Sequence, residues 1–226
     1  MPRIWFISDT HNRHLRLQIP PDIDCVVHCG DESNKRIPQQ NLREAEDFFS
    51  WFRYLPIPQK FFVPGNHSTA IEQGLINPER YPEIDFLIHS QATWTGLSLF
   101  GSPFTPAFHD WAYMRSRDEL EAYWATIPAG LDILITHGPP RGIRDRCHDR
   151  LTSMPQNVGC ERLLFHSTQR VKPRFHAFGH IHDEAGVQNF GCTTQGSTQF
   201  INCACINLRG QLLNHGIVVE VEAKQS

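Results

Sequence analysis

The sequence predicts an α/β domain, and three observations carry that prediction. Short apolar runs recur at residues 4–7, 25–27, 61–63, 97–100, 133–135, 175–178 and 217–221, too short for helices and suited to buried strands. Between them lie segments with helical spacing, clearest over 40–54, where Leu42, Ala45, Phe48, Phe49 and Phe52 recur at three- and four-residue intervals. Strand-like and helix-like segments alternate, which is the order of layered α/β architectures.

Each element follows from local pattern. The run at 4–7 opens the first strand, and the runs at 25–27 and 61–63 flank the helix over 40–54, whose apolar face is expected to pack on a sheet. The runs at 97–100 and 133–135 flank a helix over 118–125, opened by Asp118 and Glu119, which complement a helix N-terminus. A helix over 159–167 precedes the run at 175–178. From Gly191 onward helical signals vanish and strand-like runs dominate, so a second, more antiparallel sheet is expected there. No repeat, low-complexity tract or long linker interrupts the chain, and its length suits one core, so residues 1–226 read as a single domain.

Composition narrows the function classes. Hydrophobic residues make up 40% and charged residues 20% of the chain, which excludes disordered and fibrous classes. A formal net charge of -3 gives no electrostatic signal for nucleic acid, which is not expected as a partner. It leaves a nucleotide substrate open, because bound cations would add positive charge that the formal count omits. The apolar run after Met1-Pro2-Arg3 is too short for a signal peptide or a membrane span, so a cytoplasmic location without a membrane partner is expected. Cys25, Cys29, Cys147, Cys160, Cys192, Cys203 and Cys205 contain no C-x-x-C pair, which favours reduced, mostly buried thiols over structural zinc.

The chemistry is signalled by position. Five apolar runs lead directly into polar groups: Asp9-Thr10-His11, Gly30-Asp31, Gly65-Asn66-His67, Thr136-His137-Gly138 and Gly179-His180-Ile181-His182. Strand ends are where α/β sheets place their sites. Any one of these motifs is an ordinary turn or a core histidine. Apart from His67, they together supply two aspartates, an amide and four histidines, a mixed nitrogen and oxygen set suited to two first-row divalent cations. Asp31 is the natural bridge, because a shared carboxylate holds two cations about 3.5–4 Å apart, the spacing of a phosphate-cleaving pair. Glycines before Asp31, Asn66 and His180 are expected to give the backbone tight or left-handed turns.

At these residues the chain resembles the calcineurin-like metallophosphoesterase superfamily, in the order D-x-H, G-D, G-N-H, T-H-G and G-H-x-H from Asp9 to His182. Within it, Gly101-Ser102-Pro103-Phe104-Thr105-Pro106, Thr136-His137-Gly138-Pro139-Pro140 and Gly179-His180-Ile181-His182 are similar to segments of the small metallophosphoesterase-domain proteins. The resemblance implies a four-layer αββα sandwich of two central mixed sheets flanked by helices. It implies that Asp9, His11, Asp31 and His182 hold one cation and Asp31, Asn66, His137 and His180 the other. His67 matches the catalytic histidine, which stabilises the phosphoryl oxygens or protonates the leaving group. Two positions depart from the usual pattern. Ser68 follows His67 where Asp or Glu is usual, and Glu32 follows Asp31 where an apolar residue is common; a solvated loop is the plainer reading of Glu32.

The expected reaction is hydrolysis of a small phosphoester or nucleotide, with hydroxide between the cations attacking phosphorus, Asp31 bridging and His67 assisting. Similarity to the small family members leans towards phosphodiesters, including cyclic nucleotides. A phosphomonoesterase using the same site and a non-catalytic binding module of the same fold are the alternatives. The donor set permits Mn, Fe, Zn, Co or Ni, with Mn the first choice. Several residues read as structural or solvent-facing: His28, His89 and His176 beside apolar runs, the aromatic residues Phe104, Phe108 and Trp111, Asn34, and the loop arginines Arg141, Arg144 and Arg146.

Overall fold

The computed structural model describes residues 1–222. The strands are β1 (Arg3–Ile7), β2 (Cys25–His28), β3 (Gln59–Phe62), β4 (Asp85–Phe86), β5 (Ser90–Trp94), β6 (Leu97–Ser102), β7 (Thr105–Pro106), β8 (Met114–Arg115), β9 (Ile133–Thr136), β10 (Arg146–His148), β11 (Pro155–Asn157), β12 (Phe175–Phe178), β13 (Gly191–Gln195), β14 (Thr198–Asn202) and β15 (Ile217–Glu220). The helices are α1 (Pro38–Arg53), α2 (Thr69–Glu72), α3 (Arg117–Thr126) and α4 (Glu161–Phe165), the last running into a π turn over His166–Val171. None of these helices is long and apolar enough to cross a membrane.

Two mixed sheets carry the fold. The first has the order β15-β1-β2-β3-β4, with β1 to β4 parallel and β15 antiparallel at the edge. The second has the order β13-β14-β12-β9-β6-β5, with four parallel strands in the middle and an antiparallel strand at each edge.

Alternation along each strand builds the layers. In β1, Ile4 and Phe6 point between the sheets, where they meet Val27, Phe61, Leu99, Ile133, Ile135 and Ile201. Trp5 and Ile7 point the other way, onto Ala45, Phe48, Phe49 and Phe52 of α1. The far face of the second sheet, through Phe100 and Leu134, packs on Leu120 and Trp124 of α3 and Leu163 of α4. This is the four-layer αββα sandwich. Central strands covered on both faces read as continuous apolar runs, which is why they were legible.

The helix limits follow from their caps. Pro38 starts α1 two residues before the periodic stretch, because proline's fixed φ and missing N–H suit the first turn. Ser116 and Glu119 form a reciprocal capping box that sets the start of α3. The segment expected at 159–167 is α-helical only over Glu161–Phe165 before widening into the π turn.

The structure corrects the expectation for the C-terminal segment. Among the described residues it forms no sheet of its own. The hairpin β13–β14 extends the second sheet by pairing with β12, while β15 crosses back to pair with β1. Both pairings satisfy the backbone groups of strands that would otherwise end their sheets with open edges. Strand β5 was not anticipated, because Ser90-Gln91-Ala92-Thr93-Trp94 is largely polar. It is held by a hairpin to β6 whose turn residues Thr95 and Gly96 both have positive φ, as tight hairpins require.

A buried histidine in β12 gives the fold a defined acid sensitivity. His176 is fully buried, and its Nε2 lies 2.9 Å from the Thr136 hydroxyl, which donates its own proton to the Gly138 carbonyl. The ring is therefore neutral and protonated on Nε2, with Nδ1 unpartnered among the described residues. Burial lowers its pKa from 6.5 to about 3. The unfolded chain takes up a proton below about 6.5, so this residue's contribution is complete above that pH and is lost as pH falls towards 3. Between pH 7 and pH 5, His176→Leu should show a smaller fall in unfolding free energy than the parent protein, by about 2 kcal/mol in urea titrations. An identical pH dependence in the two proteins would contradict the neutral assignment.

Candidate metal centre

The parallel strands β1, β2 and β3 of one sheet and β9 and β12 of the other end at a common edge of the sandwich, and the polar groups that follow them meet there. The loops after β1 and β2 are zipped together by backbone bonds from Asp9 N to Gly30 O at 2.8 Å and from His11 N to Asp31 O at 3.1 Å. Asp9, His11, Asp31 and His180 all adopt left-handed backbone, with φ of 51°, 38°, 59° and 67°. Such conformations cost roughly 1–3 kcal/mol each and persist where surrounding contacts over-determine them.

The flanking glycines act differently from the expectation. Gly30, with φ 106°, does take a conformation that side chains avoid. Gly65 and Gly179 have no such conformation and serve close approach instead. A Cβ on Gly65 would fall on Asp31 Oδ1, and one on Gly179 would fall on Asp9 Oδ2 and the Ser8 hydroxyl.

All seven expected donor residues come together. Potential ligand atoms fall into three overlapping groups, each within 4.8 Å: Asp9, His11 and His182; Asp31, His137 and His180; and His11, Asp31 and His67. Asp31 Oδ2 lies 3.6 Å from His11 Nε2 and 3.4 Å from His137 Nε2, so one carboxylate stands between the two sides. Asn66 Oδ1 is 2.9 Å from His137 Nε2, and His182 Nε2 is 3.0 Å from Asp9 Oδ1. The other Asp9 oxygen accepts from His180 N at 2.9 Å.

The electrostatics calls for positive charge. Burial pushes the Asp9 and Asp31 carboxyls up, but neighbouring histidines outweigh it, chiefly His182 for Asp9 and His137 for Asp31, and hold both below the usual carboxylate range. Conversely, burial opposes a proton on His137, and Asp31 overcomes it to raise its pKa to about 9. Burial lowers His180 to about 3 and His11 to about 4, leaving both neutral with lone pairs to offer. His137 Nδ1 donates to the Cys29 carbonyl at 2.8 Å, which fixes Nε2 as the atom facing Asp31. Both ring nitrogens of His11 are buried without a hydrogen-bond partner among the described residues. Buried polar atoms are rarely left so, and a divalent cation would account for the nitrogen that carries the lone pair. The donor set therefore fits metal.

His67 lies at the cavity side of the cluster. Its backbone N donates to Asp31 Oδ1 at 2.8 Å, and its Nδ1 donates to the Asn34 carbonyl at 3.0 Å. That leaves Nε2 facing the site, 4.0 Å from Asp31 Oδ2. Trp111 packs edge-on against the His67 ring. The cavity over the cluster has a volume of about 410 Å³ and is walled by Phe108 and Trp111 as well as the histidines. It adjoins a second cavity of about 680 Å³, and Phe108, Cys147, His180 and Ile181 line both.

The structure sorts the remaining candidates. Phe104 belongs to the core, whereas Phe108 is half-exposed at the mouth and Trp111 lines the cavity. Arg144 is not a solvated loop residue, since its guanidinium donates to the carbonyls of Asn189, Phe190 and Cys192. Arg141 pairs with Glu161 and lines the second cavity, and Arg146 is exposed. His28 and His176 are core residues, and His89 bridges Ser102 and Thr126. Glu32 is also not solvated: it is fully buried, and burial raises its pKa to about 7 against the opposing bond from Ser68. Sequence reasoning missed Glu184, Asn207 and Leu208, which wall the cavity from loops that carry no motif.

Comparison with known proteins agrees with this geometry. The profile described as calcineurin-like phosphoesterase matches residues 2–184. The chain belongs to that family. It is 32% identical over 97% of its length to metallophosphoesterase domain-containing protein 1 of Homo sapiens, covering 71% of that protein. It is 39% identical over 97% of its length to a UPF0046 protein of Caenorhabditis elegans, covering 60% of it. A phosphopantetheinyl hydrolase from Mycobacterium tuberculosis has the same fold, with a TM-score of 0.62 over 100% of this chain and 98% of that one at 14% identity. Family and candidate ligands together support a metal-dependent phosphoesterase.

Close approach at Gly179 is directly testable. Gly179→Ala should displace Asp9 and remove most bound divalent metal, read by elemental analysis after desalting. A folded variant with full metal content would show that Asp9 is not held by that contact.

Proposed function

We propose that this family member hydrolyses small phosphodiesters, nucleotides among them, at a two-cation centre. Asp9, His11, Asp31 and His182 hold one cation, and Asp31, Asn66, His137 and His180 the other. The observation that carries this reading is the place of Asp31, whose Oδ2 lies within 3.6 Å of one donor on each side. Mn, Fe, Zn, Co and Ni all suit this set, with Mn the first choice. Cations bound there supply Lewis acidity, neutralising charge on the phosphoryl oxygens and making water nucleophilic at neutral pH.

The protein's own groups do the rest. His67 is oriented through Nδ1 by the Asn34 carbonyl, so Nε2 faces the substrate, and the ring carrying protons on both nitrogens delivers the Nε2 proton to the leaving oxygen and becomes neutral. The edge-on Trp111 ring limits rotation of that imidazole and keeps bulk water from one side of it. A diester is favoured over a monoester because the site opens on two adjoining cavities, room for a substituent on each side of phosphorus. Seven free thiols suit a reducing, cytoplasmic setting.

Asp31→Asn should lose nearly all turnover together with bound metal. His67→Ala should keep its metal and lose roughly 10²–10³ in kcat, the cost of a missing transition-state donor. Bis(p-nitrophenyl) phosphate should be cleaved with higher kcat/KM than p-nitrophenyl phosphate, and a strong preference for the monoester would overturn the diester reading.

A further inference from the structure

We infer that Glu32 and Ser68, the two positions that depart from the family pattern, form one device that positions His67. They lie 36 residues apart, yet the Ser68 hydroxyl donates to Glu32 Oε2 at 2.7 Å. The same hydroxyl oxygen accepts from Gly65 N at 2.9 Å, which closes the turn that carries Asn66 and His67. The other Glu32 oxygen accepts from the Ser33 hydroxyl at 2.9 Å. The Asn41 side-chain amide lies 2.7 Å from both the Ser33 hydroxyl oxygen and the His67 carbonyl. Glu32, Ser33, Asn41 and Ser68 are all fully buried.

A buried carboxylate is costly, and Glu32 makes no ion pair among the described residues that would offset the cost. Its oxygens instead accept from two hydroxyls, that of its own neighbour Ser33 and that of Ser68, next to His67. The Glu32 side chain thereby joins the loop after β2 to the loop after β3, beside the bond from His67 N to Asp31 Oδ1. Asn34, whose carbonyl orients the His67 ring, belongs to the first loop, and His67 to the second. Any slip between the loops would therefore change the distance between the ring and the carbonyl that fixes its tautomer. Glu32 itself touches neither substrate nor reacting atoms, so it acts only through His67. The carboxylate that the family usually places after the histidine is supplied here from across the site.

The inference rests on the proposed role of His67, and the experiment separates the two. Metal content, kcat and KM for bis(p-nitrophenyl) phosphate are measured for the parent protein, His67→Ala, Ser68→Ala, Glu32→Gln and the doubles that combine His67→Ala with each of the other two. Ser68→Ala and Glu32→Gln should each lower kcat about 10²-fold, the scale of a misplaced catalytic group, with KM and bound metal unchanged. In the His67→Ala background the same changes should cost nothing further, because their effect passes through the missing ring. The exchange E32S/S68E, which moves the carboxylate across the pair, should recover most of the kcat lost in Ser68→Ala. Losses that add fully to that of His67→Ala, or that follow loss of metal, would overturn the inference while leaving the role of His67 in place. A His67→Ala enzyme with parental kcat would overturn both.

Discussion

Two carboxylates removed from water dominate this structure. Asp9 and Asp31 are buried at the edge where the two sheets meet, and nothing nearby is a lysine or arginine ion-paired to them among the described residues. An isolated ionised carboxylate in such a place is strongly unfavourable, so positive charge must be present with it. Without cations the compensation falls to histidines, which is why His137 and His182 are pushed towards their protonated forms. The same histidines, deprotonated, are nitrogen donors. Proton and metal therefore compete for one set of lone pairs, and the fold is arranged so that metal can win.

That arrangement uses backbone strain and close contact. Four of the donor residues sit in left-handed conformations that non-glycine residues rarely adopt. What holds them is the pair of loop-to-loop backbone bonds between the ends of β1 and β2, together with glycines at 65 and 179 that let the next strand ends approach within contact of the aspartates. The four-layer core supplies the rigid frame. Aromatic residues of α1 lock the outer face of the first sheet, and the aliphatic layer between the sheets holds the strand ends in register across the site.

Outside the ligand cluster, the site is finished by residues from unrelated parts of the chain. Phe108 and Trp111 come from the connection between β7 and β8, Glu184 from the loop after β12, and Asn207 and Leu208 from the connection to β15. The second cavity, bounded by Arg141 and the β10–β11 ribbon, joins at Phe108, Cys147, His180 and Ile181. Chemistry and selectivity are thus separated. The strand ends provide donors, and the long connections shape what can reach them.

The amino-acid sequence by itself determined which donors exist and in what order they follow the strands, because Asp9, Asp31, Asn66, His137 and His180 each lie just beyond an apolar run that reads locally as a buried strand. It likewise determined the packing face of α1, since Phe48, Phe49 and Phe52 repeat at the helical period. Tertiary structure alone decided the rest. Strand β5 and the divided C-terminal segment depend on which sheet edges need partners, and Phe104 differs from Phe108 only in what lies opposite it. Glu32 and Ser68 looked like two separate departures until the fold placed them 2.7 Å apart. Local pattern encodes periodicity and turn chemistry within a few residues, whereas a hydrogen bond between distant loops depends on how the whole chain packs, and no short stretch of sequence carries that distance.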